Sequence, residues 1–310
     1  GEINLQAQRN TQFVVDLLSK LGWIINMEKS VLLPSRQMEF WGFIVDTELM
    51  KLRIPTEKRK RFRNSCKRLV KATLEGKSVR MRTLAAVLGK LQSVAPAVPF
   101  SWLHLQELIQ LLRGYTEGKH PRQVVWDSQI LLGESHLAEL EWWIGFLRRW
   151  NGNALLPTPT PGDVYSDAFD LGYGGCLMMG KHKVSEVVHG HWTKEEQSWS
   201  INKKELVAAE RSIKAYLKWA DLKNCAIRLM TDNVVTMVYI NSMGGRFSHL
   251  REVADRLLKA CKKRNVKVVA EHLPGVKNKW SGTLSRLSKD CSDWKLNSGV
   301  FRLLDKIWGP

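Results

Sequence analysis

Cysteine is scarce in this chain. Its five residues, Cys66, Cys176, Cys225, Cys261 and Cys291, are widely scattered and form no C-x-x-C pair. That arrangement argues against zinc knuckles and against a disulfide framework, and predicts buried, reduced thiols in an intracellular protein of the cytoplasm or nucleus. A signal peptide is lacking, as is any apolar run of membrane length, so no membrane partner is expected. No internal repeat is visible. Acid is in short supply: 30 Asp and Glu stand against 48 Lys and Arg, a formal charge of +18 at pH 7 and a pI near 9.8. Such an imbalance predicts a polyanionic partner, because each neutralised phosphate releases counterions. No basic amphipathic helix of interfacial character favours a membrane surface instead. With 310 residues and 44% hydrophobic content, the chain can hold two domains and a sizeable core. It opens on Gly1 rather than Met, as expected of a fragment or a piece of a longer polyprotein.

What acid there is falls into a pattern. Val164 to Cys176 reads as a short strand ending at Asp167, a glycine-rich turn, and a returning strand that Gly172, Gly174 and Gly175 allow to pass closely. Alone, that is an ordinary hairpin. Residues 200–219 then carry Leu206, Ala209, Ile213, Tyr216 and Leu217 at helical spacing. Asn202 is a candidate N-cap, with Glu205 three residues later as in a capping box. An apolar strand from Ala226 ends at Asp232, and Asn233 caps the next helix. Three carboxylates therefore arrive as strand end, helix start and strand end. Parallel strands present their C-terminal ends on one edge of a sheet, where such acids can converge. Converging carboxylates repel one another unless hard, oxygen-seeking cations such as Mg2+ lie between them.

Four short motifs in this order carry a resemblance: Ser166-Asp-Ala168, Ile201 to Leu206, Thr231-Asp-Asn233, and His272 to Asn278 followed by Leu284-Ser-Arg286. Together they resemble the ribonuclease H domain of retroelement reverse transcriptases, most similarly those of DIRS-type tyrosine-recombinase retrotransposons. The resemblance implies an α/β, ribonuclease H-like five-stranded mixed sheet with helices, preceded by a mainly helical thumb and connection region. It also implies two Mg2+ or Mn2+ ions held by Asp167, Glu205 and Asp232, with Asp167 bridging them and His272 assisting product release or proton movement. One position departs from the pattern. Ser281 and Gly282 stand where the family has Ala-Asp, so the fourth carboxylate is missing and the enzyme is expected to be impaired. A non-catalytic nucleic-acid-binding remnant is the alternative.

Upstream of the boundary, Phe13, Val14, Leu17, Leu18 and Leu21 give one apolar helical face, closed by Gly22. Residues 22–30 and 40–46 resemble the end of the polymerase palm and the strand pair that steadies the primer terminus. The paired metal-binding aspartates of a palm are not in this sequence, so no polymerisation is expected of it. Residues 51–90 are the most basic stretch. Lys58, Arg59, Lys60, Arg61, Arg63, Lys67 and Arg68 ride on an amphipathic helix at the position of a thumb, where backbone contact without sequence readout is expected. A charge run is otherwise a solvated face. Trp142 and Trp143 fall at core spacing, though bases could stack there. The uncharged, proline-rich segment 151–162 is the expected linker. The expected division is thus palm end 1–54, helical thumb and connection 55–150, linker 151–162, ribonuclease H-like domain 163–288 and tail 289–310. The expected partners are RNA–DNA hybrids, other nucleic-acid duplexes, and the remainder of a polyprotein.

Overall fold

The computed structural model describes residues 2–120, 123–150, 152–156, 158–179, 183–274 and 306. Gly282, the helix expected near it, Cys291 and the tail lie outside the described residues. The chain divides into two compact units, Gly1–Pro157 and Thr158–Pro310.

In the first unit, α1 (Glu2–Lys20) is followed by strands β1 (Gln37–Phe40), β2 (Phe43–Asp46) and β3 (Lys51–Arg53). Helix α2 (Thr56–Leu74), strand β4 (Val79–Arg80), helix α3 (Met81–Gln92) and helix α4 (Gln106–Thr116) come next. Strand β5 (Gln129–Ile130), helix α5 (Glu134–Arg149) and strand β6 (Asn153–Ala154) complete it. The apolar face of α1 stays open, with Phe13 and Leu21 about two-thirds exposed. The β1–β2 hairpin turns at Trp41 and Gly42, both with positive φ, as a two-residue turn matched to strand twist requires. Helices α2 to α5 close around Phe62, Cys66, Leu84, Leu91, Leu140 and Trp143. Trp143 is fully buried and its Nε1 donates to the His104 carbonyl (2.8 Å), so it is core and not a base-stacking platform. Trp142 is half-buried and stacks on His104 at 3.8 Å.

Two of the basic residues expected to meet nucleic acid have internal partners. The Arg59 guanidinium donates to the carbonyls of Leu147 (2.9 Å) and Arg148 (3.2 Å), the open C-terminal end of α5. The Lys58 ammonium donates to the Gly42 carbonyl (3.1 Å) and lies over the Phe43 ring. Arg63 is half-buried. Of the seven, Lys60, Arg61, Lys67 and Arg68 face outward at helical spacing, with Lys71 exposed further along the same helix.

The segment read as a linker is partly built into the fold. Asn153 and Ala154 pair antiparallel with Leu52 and Lys51, and Gly162 already belongs to the first strand of the second unit. Proline lacks an N–H but keeps its carbonyl, and Pro159 accepts from Ala226 N at 2.8 Å. The division between the units falls inside this segment, after Pro157.

The second unit runs β7 (Gly162–Ala168), β8 (Gly172–Met179), β9 (Lys183–His191), α6 (Lys194–Gln197), α7 (Ile201–Trp219), β10 (Ala226–Thr231), α8 (Val234–Asn241), α9 (Ser248–Lys263) and β11 (Lys267–His272). Its sheet has the order β11-β10-β7-β8-β9. β7, β8 and β9 are antiparallel, while β10 is parallel to both β7 and β11. This is the five-stranded mixed sheet of a ribonuclease H-like fold. Leu206, Ala209, Ile213, Tyr216 and Leu217 of α7 are buried, as their spacing predicts. Gly175 matters for a reason the sequence does not show. A Cβ there would lie 2.2 Å from Ser212 Oγ and 3.0 Å from the Tyr165 carbonyl oxygen, so its missing side chain admits helix α7 as well as the neighbouring strand β7.

Arg59→Gln should destabilise the first unit by about 2 kcal/mol, because it removes charge-assisted bonds to a helix end. Lys67→Gln, on the exposed face of the same helix, should stay within ~0.5 kcal/mol of the parent. Urea unfolding of both variants checks this; equal losses would contradict the capping role of Arg59.

Candidate active site

Topology brings the three acids together. Because β7 and β10 are parallel neighbours, Asp167 near the end of one and Asp232 just after the other reach the same sheet edge. α7 begins at that edge and places Glu205 in its second turn. One carboxylate oxygen from each of Asp167, Glu205 and Asp232 lies within 4.8 Å of the others. Asp167 and Asp232 are half-buried, whereas Glu205 is only 5% exposed.

Glu205 does not act as the reaching-back partner of a capping box. Its Oε1 accepts from Ala168 N (3.2 Å), tying the helix to the strand that carries Asp167. Its Oε2 is buried and has no hydrogen-bond partner among the described residues. Burial, and then the charges of Asp167 and Asp232, push the Glu205 carboxyl up to about 9; the Ala168 N–H only partly opposes them. A buried acid with an orphaned oxygen and two carboxylate neighbours fits a hard divalent cation, which would replace repulsion with coordination.

Asn202 departs from its expected role as well. Ser200 is the N-cap of α7, with no side-chain bond. Asn202 Oδ1 instead accepts from Asn233 Nδ2 at 3.0 Å. Asn233 caps α8 through its Oδ1, which accepts from Thr236 N (2.8 Å), and its own N–H donates to Thr231 Oγ1. This bridge links the helix of Glu205 to the strand end of Asp232. Short-range sequence signals suggest both asparagines as caps, which holds for Asn233 alone, and their pairing depends on the fold. Lys204, 4% exposed, donates to the Asp170 carbonyl (3.2 Å) and pins the β7–β8 turn onto α7.

His272 ends β11 in register with Thr231 and is exposed, on the same edge as the acids. Beside Asn202 opens an apolar hollow of ≈ 410 Å³ lined by Val234, Val238, Tyr239, Arg246 and Phe247. Tyr239 Oη accepts from Phe247 N (2.8 Å), and a Cβ at Gly245 would lie 2.3 Å from the Tyr239 ring, so this wall is closely fitted. The predicted basic residues Lys58, Arg59, Lys60, Arg61, Arg63, Lys67 and Arg68 all belong to the first unit and are not part of this cluster.

No family model matches the sequence, and no curated protein does. Among solved structures, the chain is similar to the foamy viral protease-reverse transcriptase in complex with RNA/DNA hybrid, with 17% identity and a TM-score of 0.39 over 94% of this chain and 36% of that one. It is similar also to RNase H1 from the halophilic archaeon Halobacterium salinarum NRC-1, with 16% identity and a TM-score of 0.34 over 40% of this chain and 92% of that one. LC11-RNase H1 in complex with RNA/DNA hybrid gives 15% identity and a TM-score of 0.35, with coverage of 40% and 92%. The chain thus spans about a third of the length of the foamy viral chain, 36%. No described helix is long and apolar enough to cross a membrane.

Between the ordinary carboxylate value of 4.5 and about 9, Glu205 is protonated in the metal-free folded state and ionised in the unfolded chain. The folded state then binds more protons, so stability falls as pH rises through that window. Thermal unfolding in EDTA should show this fall, Glu205→Gln should flatten it, and Mg2+ should stabilise the parent more at the alkaline end. A Glu205→Gln protein with the parent's pH slope would contradict the raised value.

Proposed function

We propose that the second unit is the ribonuclease H domain of a retroelement reverse transcriptase and hydrolyses the RNA strand of RNA–DNA hybrids. The observation that carries this reading is the convergence of Asp167, Glu205 and Asp232 on one sheet edge. The four ordered motifs, with their likeness to DIRS-type elements, support it. Asp167, Glu205 and Asp232 would hold Mg2+ or Mn2+. Two such ions supply stabilisation of the attacking water and the leaving oxygen in an in-line phosphodiester cleavage.

The chain's own residues set up this chemistry. In this reading Asp167 would contribute to holding both ions. Ala168 N holds Oε1 of Glu205 and leaves Oε2 unpaired, and the Asn202–Asn233 bridge holds the helix start against the strand end. His272, exposed at the edge, would in this reading move a proton or ease product departure. The hollow between Val238 and Phe247, rimmed by Arg246, offers apolar contact for sugars and a cation for phosphate. Hybrid recognition would come from 2′-hydroxyls in the minor groove. In the first unit, the outward stripe Lys60, Arg61, Lys67 and Arg68 is the part of a thumb that tracks duplex phosphates. Gly282 offers no side-chain carboxylate where the family has its fourth one, so cleavage is slow and needs high metal concentration.

The test is hybrid cleavage by the full chain with Mg2+ or Mn2+. Asp167→Asn and Asp232→Asn should each lose activity by at least about a hundredfold while still binding hybrid. Neutralising Lys60, Arg61, Lys67 and Arg68 should reduce the salt slope of duplex binding by up to about four. Full activity in both aspartate variants would sink the site; an unchanged slope would return α2 to a solvated face.

A further inference from the structure

The helical side of the second unit carries a feature that the carboxylate edge does not use. α7 and α9 pack side by side, and each precedes a strand, β10 or β11, that runs toward the carboxylates. Both helices therefore end at the opposite edge of the sheet. Toward those ends lies a groove of ≈ 490 Å³, floored by Leu217 and Ala260 and walled by Lys214, Lys218, Arg256, Lys259, Lys263 and Arg264. Lys218 follows Glu205 by thirteen residues on α7, which sets it about 20 Å away along the helix.

Part of this charge is neutralised locally. Glu210 pairs with Lys214 (2.7 Å) and Arg256 (2.8 Å), Asp255 with Lys259 (2.7 Å), and Asp221 with Arg264 (2.7 Å). Among the described residues, no carboxylate pairs with Lys218 or Lys263, and both are exposed. Cations in a last helical turn complement the helix dipole, which would account for Lys218 and Lys263. Lys214, Arg256 and Lys259 lie one to two turns earlier, where the two carboxylates of Glu210 and Asp255 answer part of their charge. Positive charge is crowded here: burial and the Lys259 charge hold the neighbouring Lys262 ammonium below the ordinary lysine value.

We propose that this groove binds the phosphate backbone of a nucleic-acid segment other than the one at the carboxylates. Lys214 and Lys218 on one wall, and Lys259 and Lys263 on the other, are each spaced by about 6 Å along their helices. Two such rows match a continuous line of charge, and one nucleic-acid strand carries a phosphate about every 3.4 Å of helix axis. Isolated carboxylates of an acidic peptide would leave much of both rows unanswered. The apolar floor takes the lysine stems, leaving their ammonium groups at the mouth. This inference goes beyond the hydrolytic reading and does not require cleavage to occur.

The experiment uses the full chain and the double variant Lys218→Gln/Lys263→Gln, with both changes at exposed positions. Binding of a long DNA duplex is titrated across salt concentrations, and cleavage is followed on a short hybrid that fills only the carboxylate site. The double variant should bind the duplex about tenfold more weakly, with a salt slope lower by roughly two, and should cut the short hybrid at the parent rate. An unchanged slope overturns the proposal. So does an equal loss on the short hybrid, which would make the groove part of the cleavage track. Lost retention of a poly-glutamate peptide with intact duplex binding would also overturn it, in favour of a protein partner. If the parent cuts no hybrid, the hydrolytic reading fails while the duplex titration still decides the groove.

Discussion

Mutual repulsion among three carboxylates is the constraint on which the second unit turns. Asp167, Glu205 and Asp232 bring oxygens within 4.8 Å of one another, and Glu205 does so almost entirely out of water. Without a compensating cation, the cheapest response for the protein is to keep a proton on the most buried of the three. Burial first, and then the charges of Asp167 and Asp232, raise Glu205 in this way. A fold that wanted only stability would not put acids there, because a packed apolar edge would be better. Perturbed acids of this kind mark functional sites when a cleft and a physical cause accompany them.

Several parts of the structure serve to hold this unfavourable cluster in place. The parallel pairing of β7 with β10, from Asp163–Arg228 to Tyr165–Met230, aligns the two strand ends that carry the aspartates. α7 is drawn onto the sheet by a buried face that includes Ala208, Ala209 and Ser212, and Gly175 leaves the space it needs. Ala168 N holds one oxygen of Glu205, and Lys204 fastens the adjoining turn. Asn202 and Asn233 close the remaining side. The Glu210 carboxylate, buried further along α7, is satisfied by Lys214 and Arg256. Two buried glutamates on one helix thus meet opposite fates: one is neutralised by cations of the protein, and the other is left open.

Much of this was legible in the sequence because it is local. Strand, helix and acid order follow from short apolar periodicities, and Asn233 as a cap needs only its own neighbourhood. The five-stranded sheet likewise follows from element order, since strands that alternate with long helices favour parallel pairing. What escaped were contacts whose partners are far apart in the chain. Arg59 meets a carbonyl 88 residues away, which no charge run predicts, and Asn202 meets Asn233 across 31 residues. Asn153 and Ala154 join a sheet through backbone groups, to which composition is blind. The basic groove likewise assembles from two helices that look individually like solvated faces.

In the proposed reading, the three carboxylates form one divalent-cation site beside a bound hybrid. That reading is tested most directly by a crystal structure of the chain with Mn2+ and a hybrid made uncleavable at its phosphates, read through the anomalous signal of the metal. An anomalous peak in contact with Asp167, Glu205 and Asp232 and with a phosphate of the RNA strand is expected. Bound hybrid with no peak between those three residues, or Mn2+ held elsewhere, would contradict it.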